Sequence, residues 1–321
     1  MRFYSVIIPV YNRPDEIDEL LDSLTRQTYK QFEVLVVEDG STNKCGEVVE
    51  KYAEKLKIAY YYKPNSGQGF SRNYGFEKAK GDFLIVFDSD CLIPDHYFQA
   101  VENHLNTHLL DAYGGPDRAH GNFTATQKAI SYTLTSVFTT GGIRGGKKRM
   151  GTFHPRSFNM GISREVYEAT KGYKITRMGE DIEFSIRIIN AGFKTGLIDE
   201  AYVYHKRRTS IGQFFKQLHF FGRARINIGR FYPDEVKFVH TFPAIFTLSF
   251  ILMWLLPFIS LRLFFFAFGL FVFFFLMLFV DALLREKDLK VALISIAAAF
   301  TQLFAYGIGF LGEGWRKLTR G

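Results

Sequence analysis

Two long apolar segments in the last quarter of this 321-residue chain constrain its fold more than any other feature. From Thr241 to Val280 the only charged residue is Arg262, and from Val291 to Gly312 there is none. A helix that crosses a bilayer needs about 20 consecutive apolar residues. The sequence therefore predicts a membrane-anchored rather than wholly soluble protein, with three spans at about 242–259, 263–284 and 289–311 within a transmembrane region 241–312.

The third predicted span raises a question of topology. It contains Gly307, Gly309 and Gly312, which predict that its end breaks or re-enters the bilayer. Three crossings would place the C-terminal tail, residues 313–321, outside the cell. Its basic residues would then lie on the side that positive charge disfavours, so either the third span re-enters or the charge bias is overridden.

Positive charge is concentrated before the first span. The chain carries a formal charge of +8, and residues 201–240 hold eight basic against two acidic side chains. This pattern is typical of a cytoplasmic segment that faces anionic lipid, with a solvated basic face as the alternative. Within the juxtamembrane segment 209–240, residues 210–231 alternate apolar and basic side chains. They predict either an interfacial helix or a core-facing helix of the preceding domain.

Other features narrow the class of protein. No array of basic and aromatic residues resembles a nucleic-acid-binding module, so nucleic acid is not an expected partner. Cys45 and Cys91 are too few and too far apart for a disulfide framework, which favours a reducing compartment. The N-terminal apolar run is short and is broken by Pro9 and Asn12, so we expect a buried strand there rather than a signal peptide.

Residues 1–208 alternate short apolar runs with amphipathic stretches, which predicts an α/β domain with a largely parallel sheet. A mobile, glycine-rich loop that closes over a ligand is expected over 118–156. The predicted strands are 3–9, 32–37, 58–62, 82–87, 111–115, 157–162 and one or two within 195–205, and the predicted helices are 14–28, 44–56, 69–79, 94–106, 164–170 and 179–191.

Two of these strands end in acids. Glu38 and Asp39 follow one apolar strand, and Asp88 and Asp90 follow another. Ligands of open α/β sheets bind at the carboxyl ends of the strands. Alternation along an extended segment would place Asp88 and Asp90 on one side, where two carboxylates repel unless a divalent cation or a sugar hydroxyl lies between them.

Five motifs in fixed order resemble those of a family-2 glycosyltransferase of GT-A fold, a resemblance that covers about residues 3–230. The motifs are SVIIPVYN at 5–12, VEDGST at 37–42, NSGQGFSRN at 65–73, GDFLIVFDSD at 81–90 and GEDIEFSIR at 179–187.

The resemblance implies a role for each matching residue. Pro9, Tyr11 and Asp39 would hold the nucleotide base, with Asp39 accepting the uracil N–H, and Arg72 would lie near the donor diphosphate. Asp88 would bind ribose, and Asn12 and Ser89 are counted with the donor-binding residues. Asp90 would bind Mn²⁺ or Mg²⁺, with His205 as candidate second ligand or, alternatively, a surface histidine.

The chemistry of sugar transfer supports these roles. Negative charge develops on the leaving nucleoside diphosphate, which a metal ion and Arg72 would stabilise. The acceptor hydroxyl must lose a proton, for which Asp181 is the candidate base and Glu180 the candidate acceptor contact. The alternative for both acids is ordinary stabilisation of a helix N-terminus. A single displacement would invert the anomeric carbon.

Two further motifs are weaker. Gly67, Gly69 and Gly75 lack the spacing of a phosphate-binding fingerprint and favour a simple turn before a helix. Residues 217–223 resemble the Gln-x-x-Arg-Trp element of processive membrane synthases, but Phe220 and Phe221 replace Arg-Trp, so processive polymerisation is not predicted. Arg223 is retained as a candidate diphosphate contact.

The sequence thus predicts a multi-pass protein of the cell (inner) membrane whose cytoplasmic domain is a metal-dependent, inverting glycosyltransferase. The expected donor is a UDP-sugar, and the expected acceptor is a lipid-linked or cell-surface glycan. One alternative is a polyprenyl-phosphate sugar synthase, whose phosphate acceptor needs no base. The other is a non-catalytic membrane subunit of polysaccharide assembly.

Overall fold

The computed structural model describes residues 1–118, 120–140 and 153–320, in two compact units. The described residues of Met1–His120 and Gly151–Lys206 form the first unit, and those of Gly121–Met150 and Arg207–Gly321 form the second. The first unit ends within two residues of the expected boundary at 208. A segment expected in the first domain, residues 121–140, belongs instead with the C-terminal helices.

The first unit has the predicted α/β architecture. Seven strands form one sheet in the order β3-β2-β1-β4-β8-β6-β9, in which only β8 runs against the others, and β5, β10 and β7 form a small second sheet. The strands are β1 (Tyr4–Val10), β2 (Phe32–Asp39), β3 (Ile58–Lys63), β4 (Phe83–Phe87), β5 (Cys91–Leu92), β6 (Ala112–Gly114), β7 (Asp117–Arg118), β8 (Asn159–Ser163), β9 (Thr195–Leu197) and β10 (Val203–His205).

Helices cover both faces of the large sheet, which explains why its strands are apolar throughout. Ile8 of β1 belongs to the core that includes Leu20 and Phe98, whereas the neighbouring Ile7 belongs to the core that includes Phe76 and Phe184. The helices are α1 (Pro14–Thr25), α2 (Gly46–Glu50), α3 (Gln68–Lys78), α4 (Tyr97–Thr107), α7 (Arg164–Thr170) and α8 (Glu180–Asn190), with α5 (Ala125–Thr135) and α6 (Val137–Thr140) in the second unit.

The remaining elements of the second unit follow α6. They are helices α9 (Ile211–Phe231), α10 (Phe242–Met253), α11 (Leu261–Glu286) and α12 (Leu289–Arg320), with short 3₁₀ turns at Pro233–Glu235, Phe238–Thr241 and Leu256–Phe258.

The expectation of a mobile loop over 118–156 is wrong where the chain is described. Thr124 and Gln127 form a capping box that begins α5. Ile130 packs in one cluster with Phe214 of α9, and the hydroxyl of Tyr132 donates to Asp281 of α11 at 2.6 Å. The Gly141-Gly142, Gly145-Gly146 and Lys147–Arg149 part of that loop lies outside the described residues.

Two helices of the described chain, rather than the three predicted, are long and apolar enough to cross a membrane. They are α11, whose apolar surface is exposed, and α12, which is about half buried. Helix α10 has 12 residues and spans about 18 Å, short of the hydrocarbon core of about 30 Å. It ends at Met253 because the chain then turns through Pro257, and Ser260 caps the start of α11.

The glycines of the third predicted span do not break it, since α12 is continuous to Arg320. They allow close packing instead. A Cβ added at Gly309 would overlap the carbonyl oxygen of His219, and one at Gly222 would overlap that of Tyr306, so α9 and α12 cross in backbone contact. The inner face of α9 is therefore buried against protein, as Ile228 shows.

Candidate active site

The site lies at the carboxyl edge of the large sheet, where parallel strands β1 to β4 all end. Asp39 and Lys63 are the last residues of β2 and β3, and Asp88 directly follows β4. This is the edge at which open α/β sheets bind ligands. The strand-end acids predicted from the sequence are therefore brought together.

Asp39 is almost fully buried and closely held. One carboxylate oxygen, Oδ1, accepts from the Lys63 ammonium and from the Ser66 amide at 2.9 Å, while Oδ2 accepts from the Gly67 amide at 2.8 Å. Burial raises the pKa of Asp39, but the hydrogen bonds from Lys63, Ser66 and Ser71 outweigh it, so that the pKa lies below its usual range. Asp39 is thus an oriented, ionised acceptor.

The end of β1 supports the Asp39 loop. Asn12 adopts a left-handed backbone with φ of 54°. Its side-chain oxygen accepts from the amides of Thr42 and Asn43, both at 2.9 Å. Asn12 therefore positions the loop after β2, while the neighbouring Tyr11 is half exposed at the same edge and Pro9 lies within β1.

Arg72 of α3 is the most deeply buried charge of the site, with 1% of its side chain exposed. It donates to Asp88 at 2.8 Å and to Glu180 at 3.3 Å. Burial opposes its charge, but Tyr173, Asp88 and Glu180 outweigh burial and raise the pKa of Arg72. Burial and the adjacent Asp181 raise the pKa of Glu180, against the effect of Arg72.

Asp90 and His205 meet because β10 pairs antiparallel with β5, which places His205 opposite Cys91. His205 Nε2 lies 3.0 Å from Asp90 Oδ1. On the other carboxylate oxygen, Arg13 Nη1 lies 3.0 Å from Oδ2. The imidazole also stacks on Phe158. The structure thus places His205 in the site and not on an open basic surface.

The expectation that Asp88 and Asp90 share one face of an extended segment is wrong. The chain leaves the strand at Phe87 and enters a turn closed by the Cys91 amide, which donates to the Asp88 carbonyl at 3.1 Å. Alternation therefore stops at Phe87. Each acid has its own cation, and Ser89 between them is buried.

The donor atoms of Asp90 and His205 fit a divalent cation. Adjacent ligands of an octahedral ion, with bonds of about 2.1 Å, are separated by about 3.0 Å, which matches the distance between Asp90 Oδ1 and His205 Nε2. Cys91 Sγ is close by, but burial and the charges of Asp90 and Asp88 raise the pKa of this thiol. The carboxylate oxygen of Asp90 is a ligand type that suits both Mg²⁺ and Mn²⁺.

Asp181 lies at the start of α8, which follows two residues of positive φ, Met178 and Gly179. Its Oδ1 accepts from the Ile182 amide at 2.8 Å, and Arg156 donates to its Oδ2 at 3.3 Å. Asp181 keeps 20% of its side chain exposed, whereas Glu180 is buried against Arg72. The two neighbouring acids therefore face different surroundings.

Arg223, the candidate diphosphate contact, lies in the second unit, where its Nε donates to Glu313 at 3.0 Å. Gly67 is the residue before α3, with φ of 91°, which confirms the predicted turn before a helix.

Among the side chains that contact Asp39, Asp90, Glu180 and Asp181, the following were not predicted from the sequence: Arg13, Lys63, Gln68 and Arg156. A signal was present for two of them. Arg13 closely follows β1 and Lys63 ends β3, so the strand-end argument applied to the acids would also have found these cations.

The chain is similar to known glycosyltransferases in sequence and in fold. The family model described as "Glycosyl transferase family 2" matches residues 5–170. An uncharacterized glycosyltransferase of Rickettsia typhi is 39% identical over 102 residues, 32% of this chain and 30% of the relative. The poly(ribitol-phosphate) beta-N-acetylglucosaminyltransferase TarS of Staphylococcus aureus is 36% identical over 115 residues, 35% of this chain and 20% of TarS. The chain spans about a third or less of these relatives' length.

Among solved structures, the mannosyltransferase PcManGT of Pyrobaculum calidifontis, in complex with GDP-Man and Mn²⁺, has a TM-score of 0.64 at 19% identity. The match covers 94% of this chain and 87% of PcManGT. This likeness shows a shared fold.

Proposed function

The chain belongs to glycosyl transferase family 2, and from this premise we propose that it transfers a sugar from a nucleoside diphosphate to a hydroxyl group, with inversion of the anomeric carbon. The acceptor is a lipid-linked or cell-surface glycan. The observation that carries the proposal is the meeting of Asp39, Asp88, Asp90 and Asp181 at one edge, each with a cation in contact. Such pairing orients the carboxylates before substrate binds.

We assign Asp39 to the nucleotide base, together with Pro9 and Tyr11. Lys63 and Ser66 donate to Oδ1 of Asp39, and Gly67 donates to Oδ2. An ionised carboxylate oriented in this way accepts the N–H of a uracil ring, which supports a UDP-sugar donor. The GDP-Man of PcManGT makes a guanine donor the alternative to test.

We assign Asp88 to the ribose and Arg72 to the orientation of Asp88. Arg72 is buried and engaged with Asp88 and Glu180, so direct contact with the diphosphate would require its release from both acids. It positions Asp88 and adds positive charge beneath the donor.

Asp90 and His205 are the residues that would hold a divalent cation, Mn²⁺ or Mg²⁺. When bound, the ion supplies positive charge to the diphosphate leaving group. The Mn²⁺ in the PcManGT complex supports this assignment. Arg13 Nη1 contacts the other carboxylate oxygen of Asp90 at 3.0 Å.

Asp181 is the proposed general base. The acceptor oxygen forms a bond to the anomeric carbon while the bond from that carbon to the phosphate oxygen breaks. The electron pair leaves with the nucleoside diphosphate, and the hydroxyl proton passes to Asp181. Glu180 is less suited to this task because Arg72 and Gln68 engage its carboxylate, so it acts as a positioning residue.

We further propose that α11 and α12 anchor the protein at the cytoplasmic face of the membrane. With two crossings, the C-terminal end of α12 lies on the same side of the bilayer as α9. This agrees with the contact of Arg223 on α9 and Arg316 on α12 with the same Glu313, and with the bias of positive charge toward the cytoplasm. An anchored enzyme meets a lipid-linked acceptor by lateral search.

The experiment is transfer of label from UDP-, GDP- and dTDP-sugars to a membrane lipid extract by the detergent-purified protein. The proposal expects one base to support transfer and the product linkage to be inverted relative to the donor. Transfer from no donor, or a retained configuration, would refute it. Label on a lipid phosphate that survives Asp181→Asn would instead favour the polyprenyl-phosphate acceptor.

A further inference from the structure

Three arginines of the second unit surround one carboxylate. Glu313 of α12 is 9% exposed in its side chain and lies 3.0 Å from Arg223 Nε, 3.2 Å from Arg230 Nη2 and 3.5 Å from Arg316 Nη1. The crossing of α9 and α12 at Gly222 and Gly309 creates this arrangement, since Arg223 follows one glycine and Glu313 lies one turn beyond the other.

The cluster carries more positive than negative charge. One carboxylate neutralises one of the three guanidinium groups, which leaves a local excess of two. The side chains of Arg223, Arg230 and Arg316 are 32%, 41% and 56% exposed, so a ligand has access to them. Burial together with the charges of Arg223 and Arg316 lowers the pKa of nearby His219, as expected where positive potential is high.

The position of the cluster along α12 indicates headgroup depth. The apolar run of this helix ends at Gly312, and Glu313 is the next residue. Trp315 follows with 68% of its surface exposed. Exposed tryptophan beside arginine is typical of the membrane–water interface, where basic pockets between helices bind lipid phosphates.

We propose that Arg223, Arg230 and Arg316 form a binding site for the phosphate group of a membrane lipid. A guanidinium group can donate two parallel hydrogen bonds to the oxygens of one phosphate, and three guanidinium groups converge here. Glu313 holds the arginines in place without the lipid and competes with it for their N–H groups. This site goes beyond the proposed glycosyl transfer and rests on the proposed anchoring of α12 in the membrane.

A purely structural role is the contrasting possibility, in which the arginines only join α9 to α12. The two roles differ in the effect of Glu313→Gln. If the arginines bind phosphate, removing the competing carboxylate preserves or strengthens lipid binding even where it lowers stability. If they only join the helices, losing either partner affects stability alone.

The test measures the thermal unfolding midpoint of the full chain in neutral detergent with phosphatidylglycerol, phosphatidylcholine or inorganic phosphate. Two variants are compared with the wild type. The first is the double variant Arg230→Gln/Arg316→Gln, which retains the Arg223–Glu313 pair, and the second is the single variant Glu313→Gln. The control is Lys216→Gln, an exposed lysine on the same helix.

We expect phosphatidylglycerol alone to raise the midpoint of the wild type. In the double arginine variant, the phosphatidylglycerol concentration that gives half of the maximal rise in the midpoint should be roughly tenfold or more higher than in the wild type. In Glu313→Gln and in Lys216→Gln, this concentration should be no higher than in the wild type. An unchanged requirement in the double variant would overturn the proposal, as would an equal response to phosphatidylcholine. A full response to inorganic phosphate would overturn the assignment to a lipid.

Discussion

Asp90 Oδ1 and His205 Nε2 lie 3.0 Å apart, although the two residues are far apart in the sequence. Antiparallel pairing of β10 with β5 sets this distance, so it belongs to the fold rather than to a flexible surface contact. The loop before β5 brings one donor atom and the end of β10 brings the other. The predictions concerning the metal follow from this relationship.

Replacing His205 with alanine is expected to weaken Mn²⁺ binding by at least about tenfold, because one of the two proposed protein ligands is lost. Free Mn²⁺ measured by electron paramagnetic resonance gives this affinity without any turnover. His96→Ala, an exposed histidine of the same unit, is the control. Equal Mn²⁺ affinity in His205→Ala and the wild type would contradict the metal assignment.

Replacing Arg13 with glutamine is expected to strengthen Mn²⁺ binding by roughly two- to tenfold, because the Arg13 charge competes with the ion for Asp90. The same resonance titration reports it. Glu16→Gln is the matched control, since it removes the other partner of Arg13, at 2.7 Å, and leaves the contact with Asp90. Its affinity should not rise. Weaker binding in Arg13→Gln would show that Arg13 supports the ion.

Replacing Asp181 with asparagine is expected to lower kcat for transfer to a hydroxyl acceptor by about 10²- to 10⁴-fold, with little change in donor KM. The amide cannot accept the proton, although its shape is preserved. Glu180→Gln should change donor KM as well, because Glu180 holds Arg72 and through it Asp88. If Asp181→Asn keeps the wild-type kcat, Asp181 is not the base.

Replacing Lys63 with methionine is expected to raise the pH at which the protein begins to lose stability on acidification. A carboxyl group whose pKa is lower in the folded state stabilises the fold above its unfolded pKa, and this contribution is lost as pH falls through the folded pKa. The pKa of Asp39 lies below its usual range because hydrogen bonds from Lys63 and others outweigh burial. Without Lys63 the pKa of folded Asp39 rises toward its usual range, so the contribution is smaller and is lost at a higher pH on acidification.

The measurement is Tm by circular dichroism between about pH 7 and about pH 4, with Asp39→Asn as the reference that lacks the titrating group. The Tm difference between wild type and Asp39→Asn should persist to lower pH than the difference between Lys63→Met and Asp39→Asn. Identical pH profiles would show that Lys63 does not control Asp39.

Replacing Gly309 with alanine is expected to destabilise the protein by about 1–3 kcal/mol, because the added Cβ overlaps the backbone of α9 at His219. Gly312→Ala, three residues further along α12, meets nothing within 4 Å. It should be neutral or stabilising by up to about 1 kcal/mol, since alanine favours the helix. Chemical denaturation in detergent compares the two. Equal effects would exclude a close crossing of α9 and α12.

Much of the first unit was predictable because its signals are local. Apolar runs that end in Asp39 and Asp88 predicted both the strands and the edge at which ligands bind. The partners of these acids were less accessible, since Arg72 and Glu180 come together only through the packing of α3 and α8. The separate orientations of Asp88 and Asp90 depend on a turn that alternation does not reveal.

The second unit was harder to predict because hydropathy reports apolar length and not where a helix ends. The first predicted span contains Pro257, which divides it into α10 and a 3₁₀ turn. In the sequence, the glycines of α12 predicted a break. Their role in packing was not visible because the partner helix, α9, is distant in sequence. Helix α5 was missed because its β-branched and hydroxyl residues favour helix weakly, although the pair Thr124 and Gln127 marked its start.

Nucleoside diphosphate release from the preferred donor, by wild type and Asp90→Asn, with Mn²⁺ or with chelator, tests the central claim most directly. Asp90→Asn keeps the size of the side chain and removes the charge that His205 and Arg13 contact. We predict Mn²⁺-dependent release by the wild type and a loss of at least about 10²-fold in the variant. Equal release by the two proteins, or release unaffected by chelator, would contradict a metal-assisted transfer at this site.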